Sequence, residues 1–131
     1  MITDASVATK WLVDEASSSA ALPLLERDDL KVPDLFFAEM ANIMWRLART
    51  ARVGEPGALL ARLENVFSLV VTGEELAQAA LELAVTLNHP AYDCFYLALA
   101  IAEDDVLITA DRRFHAACAG SAQAARVQLL G

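Results

Sequence analysis

The chain has 131 residues, 56% of them apolar and 21% charged, with a formal net charge of −8. That length suits a single domain over residues 1–131 with a substantial core. The balance excludes a disordered chain and argues against wholesale charge-driven attachment to nucleic acid. Met1-Ile2-Thr3-Asp4 lacks the basic region and apolar core of an export signal. The apolar run from Cys94 to Ala102 falls well short of the roughly 18 to 20 residues that cross a bilayer. A cytoplasmic protein without a membrane segment is expected, with Cys94 and Cys118 as reduced core residues.

Met1 to Thr3 reads as a short strand ending at Asp4, followed by helical spacing from Ala5 to Val13. Ser17 to Arg27 reads as a second helix, kinked or delayed by Pro23. Leu30 to Pro33 forms the next extended segment. Asp34 is placed to cap a helix from Leu35 to Thr50, whose expected apolar stripe is Phe37, Met40, Ala41, Met44 and Ala48. Glu39, Asn42, Arg46 and Arg49 share another face.

Gly54-Glu55-Pro56-Gly57 is a turn, and Ala58 to Phe67 is expected to be helical. Leu69 to Val71 reads as a strand, Gly73 to Leu87 as a helix, and Pro90 opens a largely apolar helix carrying one carboxylate, Asp93. Val106 to Thr109 is a buried strand, Asp111 begins a helix through Cys118, and Arg126 to Leu130 is a final strand. Short apolar strands separated by helices imply an α/β fold with a parallel sheet covered on both faces. Such sheets hold ligands at the carboxyl ends of their strands.

Asp4, Glu39, Asp93 and Asp111 all fall after strands or near helix starts, where they can meet at one sheet edge. Each alone also reads as an ordinary helix-terminal acid, and Glu39 as a partner for a nearby arginine. Together they suit a hard divalent cation, because clustered carboxylates repel one another unless a cation neutralises them. Oxygen donors without nearby histidine or paired cysteine favour Mg²⁺ or Mn²⁺ over zinc. Such an ion activates water and stabilises charge building on a phosphate.

Four motifs carry a resemblance: Asp4-Ala5-Ser6, Pro33-Asp34 leading to Ala38-Glu39-Met40-Ala41-Asn42, His89-Pro90-Ala91-Tyr92-Asp93-Cys94-Phe95-Tyr96-Leu97-Ala98-Leu99-Ala100, and Thr109-Ala110-Asp111-Arg112-Arg113-Phe114. In this order they resemble the motifs of PIN-domain ribonucleases, and in detail the VapC toxins of toxin–antitoxin pairs. The resemblance implies a three-layer α/β/α fold and an Mg²⁺- or Mn²⁺-dependent endoribonuclease leaving a 5′-phosphate and a 3′-hydroxyl. It also implies a homodimer neutralised by a VapB-like antitoxin in a higher assembly. Asp4 and Asp93 carry over as principal metal ligands and Glu39 and Asp111 as completing the acidic pocket, with Ser6, Asn42 and Thr109 in support.

Arg46, Arg49, Arg52, Lys10, Arg112 and Arg113 are candidate contacts to RNA phosphates, and a solvated helix face is the alternative for Arg46 and Arg49. His89 and His115 have no metal-ligand partner at useful spacing, so loop and helix-surface positions are expected. Trp11, Trp45, Phe36, Phe37, Tyr92, Phe95 and Tyr96 are expected in the core or at a dimer interface, and any exposed apolar remainder suits an antitoxin helix. Two rival readings are a phosphoryl-accepting receiver domain and a catalytically silent binding module. The receiver requires adjacent acids after the first strand and a late lysine. Asp4 has no acidic neighbour, and no lysine follows Lys31.

Overall fold

The computed structural model describes residues 1–131. Five short parallel strands form one sheet in the order β3-β2-β1-β4-β5. They are β1 (Ile2–Thr3), β2 (Lys31–Pro33), β3 (Leu69–Val71), β4 (Leu107–Thr109) and β5 (Val127–Leu129). The helices between them are α1 (Ala5–Leu12), α2 (Ser18–Ala21), α3 (Leu35–Arg49), α4 (Pro56–Ala61), α5 (Gly73–Leu87), α6 (Ala91–Ala102) and α7 (Arg112–Ala119). The result is the expected three-layer α/β architecture. Strand order reverses between β1 and β4, and the crevice beyond the carboxyl ends of such a pair is where open α/β sheets bind ligands.

The centre of the core is α6. Tyr96, Leu97, Ala98, Leu99 and Ala100 are consecutive and all buried, as a helix enclosed on every side requires. It lies against β1, β2 and β4, and α5 packs along it. Both cysteines are free and buried. Burial pushes each thiol up to about 11, so both stay protonated and inert at neutral pH.

Four local expectations are corrected. The buried stripe of α3 is Phe36, Met40, Met44 and Leu47, whereas Phe37 is 38% exposed and Ala41 is exposed. Adjacent phenylalanines allow two phases of the same period. Packing buried Phe36 fully, its ring edge-on to Phe67 at 4.8 Å, and left Phe37 half-exposed at 6.1 Å from the same ring. The segment 17–27 is a four-residue α2 followed by a 3-10 turn, Leu22–Glu26, because Pro23 has no N–H for a continuing α-helical ladder. α4 starts earlier than expected, with Pro56 in its first turn, and ends at Ala61.

Asp34 does not cap α3 with its side chain. Its carboxylate instead accepts from the Gly73 N–H at 2.9 Å, at the start of α5, joining the two crossovers that flank β3. At the sheet's opposite end, Asp105 accepts from the Met1 ammonium at 2.7 Å and the Lys31 ammonium at 3.0 Å. These bonds and the Val106 N–H outweigh its partial burial and hold its carboxyl down at about 2.

Candidate active site

Asp4 follows β1 directly. One of its oxygens accepts from the Val7 N–H at 3.2 Å, which caps α1, and from the Ser6 hydroxyl at 2.5 Å. The other accepts from the hydroxyl of Thr109, the last residue of β4. Thr109 is fully buried, and its Oγ1 also accepts from the Asp111 N–H at 3.0 Å. Ser6 in turn accepts from the Ala110 N–H at 2.9 Å. This mesh joins the ends of β1 and β4 across the switch point.

Burial is the main force on Asp4, which is only 6% exposed, and the Asp93 charge adds to it. The three hydrogen bonds pull the other way, and the net result raises its carboxyl to about 6. Glu39, from the second turn of α3, is also raised, first by burial and then by the Asp93 and Asp4 charges, against the hydrogen bond from Tyr96. Three of the four expected acids therefore feel one another directly. The Tyr96 hydroxyl, buried in α6, donates to Glu39 Oε1 at 2.5 Å. Burial and the nearby negative charges push its own ionisation far up, so it remains a donor.

Asp93 lies in the first turn of α6, where its charge also suits the positive end of the helix. Its Oδ2 meets His89 Nε2 at 2.7 Å. Asp111 caps α7, its Oδ1 accepting from the Arg113 and Phe114 N–H groups at 2.9 and 3.1 Å. For Asp4 and Asp111 the capping and pocket readings thus describe the same side chain. Glu39, Asp93 and Asp111 each engage one oxygen in these bonds and leave the second without a donor.

All four acids line one cleft of about 590 Å³, together with Ser6, Tyr96 and Ala110. It continues between α1 and α3 to Lys10, Glu15, Arg46, Thr50 and Arg52. The acids do not close into a cage, since no three acid, histidine or cysteine side chains stand near enough to hold an ion unaided. The donor set is all oxygen, with two mutually repelling carboxylates, Asp4 and Asp93, at its centre. That fits Mg²⁺ or Mn²⁺, since Mg²⁺ usually binds through one or two carboxylates and retains several waters.

The other expected residues divide. Asn42 is exposed and outside the cleft, because the cleft face of α3 runs Glu39, Ile43, Arg46, Leu47, Thr50 and Asn42 stands off it. Arg49 also faces elsewhere, its guanidinium 5.1 Å from the Trp45 ring centre. Arg112 and Arg113 are exposed beside Asp111 without lining the cleft. His89 lies in the expected loop, between α5 and α6, but its side chain is only 12% exposed and its ring centre is 4.9 Å from that of Phe114. Its spacing of four residues before Asp93 was the available signal. Neither the metal-ligand and general-base roles weighed for His89 nor the core or dimer-interface position expected of Tyr96 includes partnership with a carboxylate.

The model of the PIN domain matches residues 1–120. Ribonuclease VapC3 of Pyrobaculum aerophilum is 30% identical over 118 residues, covering 86% of this chain and 90% of that protein. The crystal structure of PAE2754 from Pyrobaculum aerophilum superposes with a TM-score of 0.68 at 27% identity, covering 92% of this chain and 80% of that one. With its acids gathered at the switch point and a family match over nearly its whole length, the chain belongs to the PIN domain family.

Proposed function

We propose that the protein is a divalent-metal-dependent endoribonuclease and the toxin of a VapBC-type pair, hydrolysing RNA phosphodiesters and neutralised by a VapB-like antitoxin. The observation that carries the reading is the convergence of Asp4, Glu39, Asp93 and Asp111 on one cleft, with Asp4 and Glu39 driven toward protonation by burial and by the nearby Asp93 charge. Likeness to a protein named a ribonuclease supports the substrate class. Asp4 and Asp93 would hold Mg²⁺ or Mn²⁺, with Glu39 and Asp111 acting directly or through water. Bound there, the ion supplies an activated water and neutralises charge on the phosphate.

The chain's own residues perform the rest. Ser6 and Thr109 fix both oxygens of Asp4, and Tyr96 fixes one oxygen of Glu39. At the cleft's far end Lys10 is held by Glu15 at 3.3 Å and by the Ala16 carbonyl, and Arg52 lies 3.9 Å from the same Glu15. Arg46 forms no ion pair and stands seven residues along α3 from Glu39, about 10 Å by helical rise. In this reading it binds a phosphate next to the scissile one. Exposed apolar side chains on α3 and α5, including Trp45, Leu81 and Val85, support a second copy and an antitoxin helix as partners. No helix is long and apolar enough to cross a membrane, in keeping with the cytoplasm as its place of action.

Protein purified free of antitoxin is expected to cut structured RNA in Mg²⁺ or Mn²⁺ and to stop in EDTA, and Asp93→Asn is expected to be inactive. Full activity of Asp93→Asn would refute the site. For binding of uncut RNA in EDTA, Arg46→Gln is expected to lower the slope of log affinity against log salt by about one, with Arg49→Gln unchanged. Equal effects would place the two arginines in one undifferentiated surface.

A further inference from the structure

His89 sits at a corner whose backbone is fixed before any ligand arrives. Asn88 ends α5 in the left-handed region, at φ 50°, and the His89 N–H returns to the Ala84 carbonyl at 3.1 Å. Pro90 then locks the entry to α6. The imidazole rests on Phe114 of α7 and is nearly buried, so its ring has little freedom to swing. Its Nε2 stands 2.7 Å from Asp93 Oδ2, in a pair whose carboxylate is 31% exposed. An ionised carboxylate only accepts hydrogen bonds, so the imidazole N–H is the donor.

We infer that His89 is a positioning residue that holds the Asp93 carboxylate so that its other oxygen, Oδ1, is presented to a divalent cation in the cleft. The inference rests on the metal reading above. Because the same ring packs on α7, which Asp111 caps, His89 also ties the position of Asp93 to the helix that carries Asp111. Carboxylates that bind metals are themselves held by hydrogen bonds, and loss of such a partner weakens metal affinity by about 10–100-fold. The imidazole never touches the ion in this arrangement. It acts through Asp93.

Mn²⁺ binding to the full chain, followed by electron paramagnetic resonance without RNA, separates the two readings. His89→Phe keeps a ring against Phe114 and removes the donor, whereas His89→Gln returns an N–H near the position of Nε2. Wild-type binding, a loss of about 10–100-fold in His89→Phe and recovery to within a few-fold in His89→Gln support the inference. Wild-type binding with unchanged affinity in both variants overturns it while leaving the metal site standing. Equal losses in the two variants, with thermal melting unchanged, overturn the hydrogen-bond account. Absence of wild-type binding overturns the metal reading and this one with it.

Discussion

Asp4→Asn is expected to abolish RNA cleavage and, in EDTA at pH 7, to make the protein more stable than the wild type. The activity loss should reach about 10³-fold or more, the scale on which removal of one preorganised charge-stabilising group acts. The stability gain has a separate origin. Asp4 is buried beside Asp93, and its carboxyl is raised from 3.8 to about 6. Ionising it in the folded state at pH 7 therefore costs about 3 kcal/mol relative to the unfolded chain. Asparagine carries no charge, and its carbonyl can still accept from Ser6 and Val7. Its amide can donate to the Thr109 hydroxyl, which turns to accept. A rise of about 3–10 °C in Tm is expected in scanning calorimetry. Added Mg²⁺ should raise the Tm of the wild type by mass action and leave that of Asp4→Asn unmoved.

The same group sets a pH signature. A raised acid binds more protons folded than unfolded, so its contribution is fully present below 3.8 and is lost as pH rises through about 6. Metal-free wild type should therefore gain stability between pH 7 and 5, and Asp4→Asn should show a smaller gain, the part left to the raised carboxyl of Glu39. Asp105 has the opposite sign. Held at about 2 by the Met1 ammonium and Lys31, it contributes above 3.8 and loses that contribution as pH falls toward 2. The two windows meet at the ordinary carboxylate value of 3.8, and the wild-type optimum in EDTA should lie near pH 4. A stability curve in EDTA that is flat from pH 7 to 5 would contradict the burial of an uncompensated charge at Asp4.

Thr109→Val is expected to damage stability and activity together. The hydroxyl is fully buried, donates to Asp4 Oδ2 and accepts from the Asp111 N–H, so one substitution removes a partner from two site residues. Valine has the same shape and cannot replace either bond. Loss of a hydrogen bond to a charged group and an orphaned N–H should cost about 2–3 kcal/mol in urea unfolding. Cleavage should fall by about 10–100-fold through the misplaced acids. Thr109→Ser, which keeps the hydroxyl, should recover most of the activity. If valine were as active as serine, the link between β4 and Asp4 would have no functional weight.

These effects trace how far the sequence carried the site. Asp4 and Asp111 were legible because each ends an apolar strand and opens a helix, a junction that parallel α/β sheets use for ligands. Asp93 was legible as a lone charge in an apolar helix, and Glu39 through its place in the motif order. What composition and periodicity left open was phase and partnership. Phe36 and Phe37 fit the same helical period and both rings meet Phe67 edge-on, and only burial in the folded chain separates them. Asn42 and Arg49 share the spacing of Glu39 and Arg46 but lie off the cleft by a fraction of a turn. Asp34 bonds across to Gly73, and Tyr96 reaches Glu39 from another helix, contacts that no local pattern encodes.

The most direct measurement is the anomalous diffraction of Mn²⁺ in crystals grown with that ion at neutral pH. An anomalous peak is expected in the cleft with oxygens of both Asp4 and Asp93 within direct coordination distance, and with Glu39 and Asp111 reached directly or through ordered water. A well-occupied Mn²⁺ peak elsewhere on the protein with the Asp4–Asp93 cleft empty would contradict it.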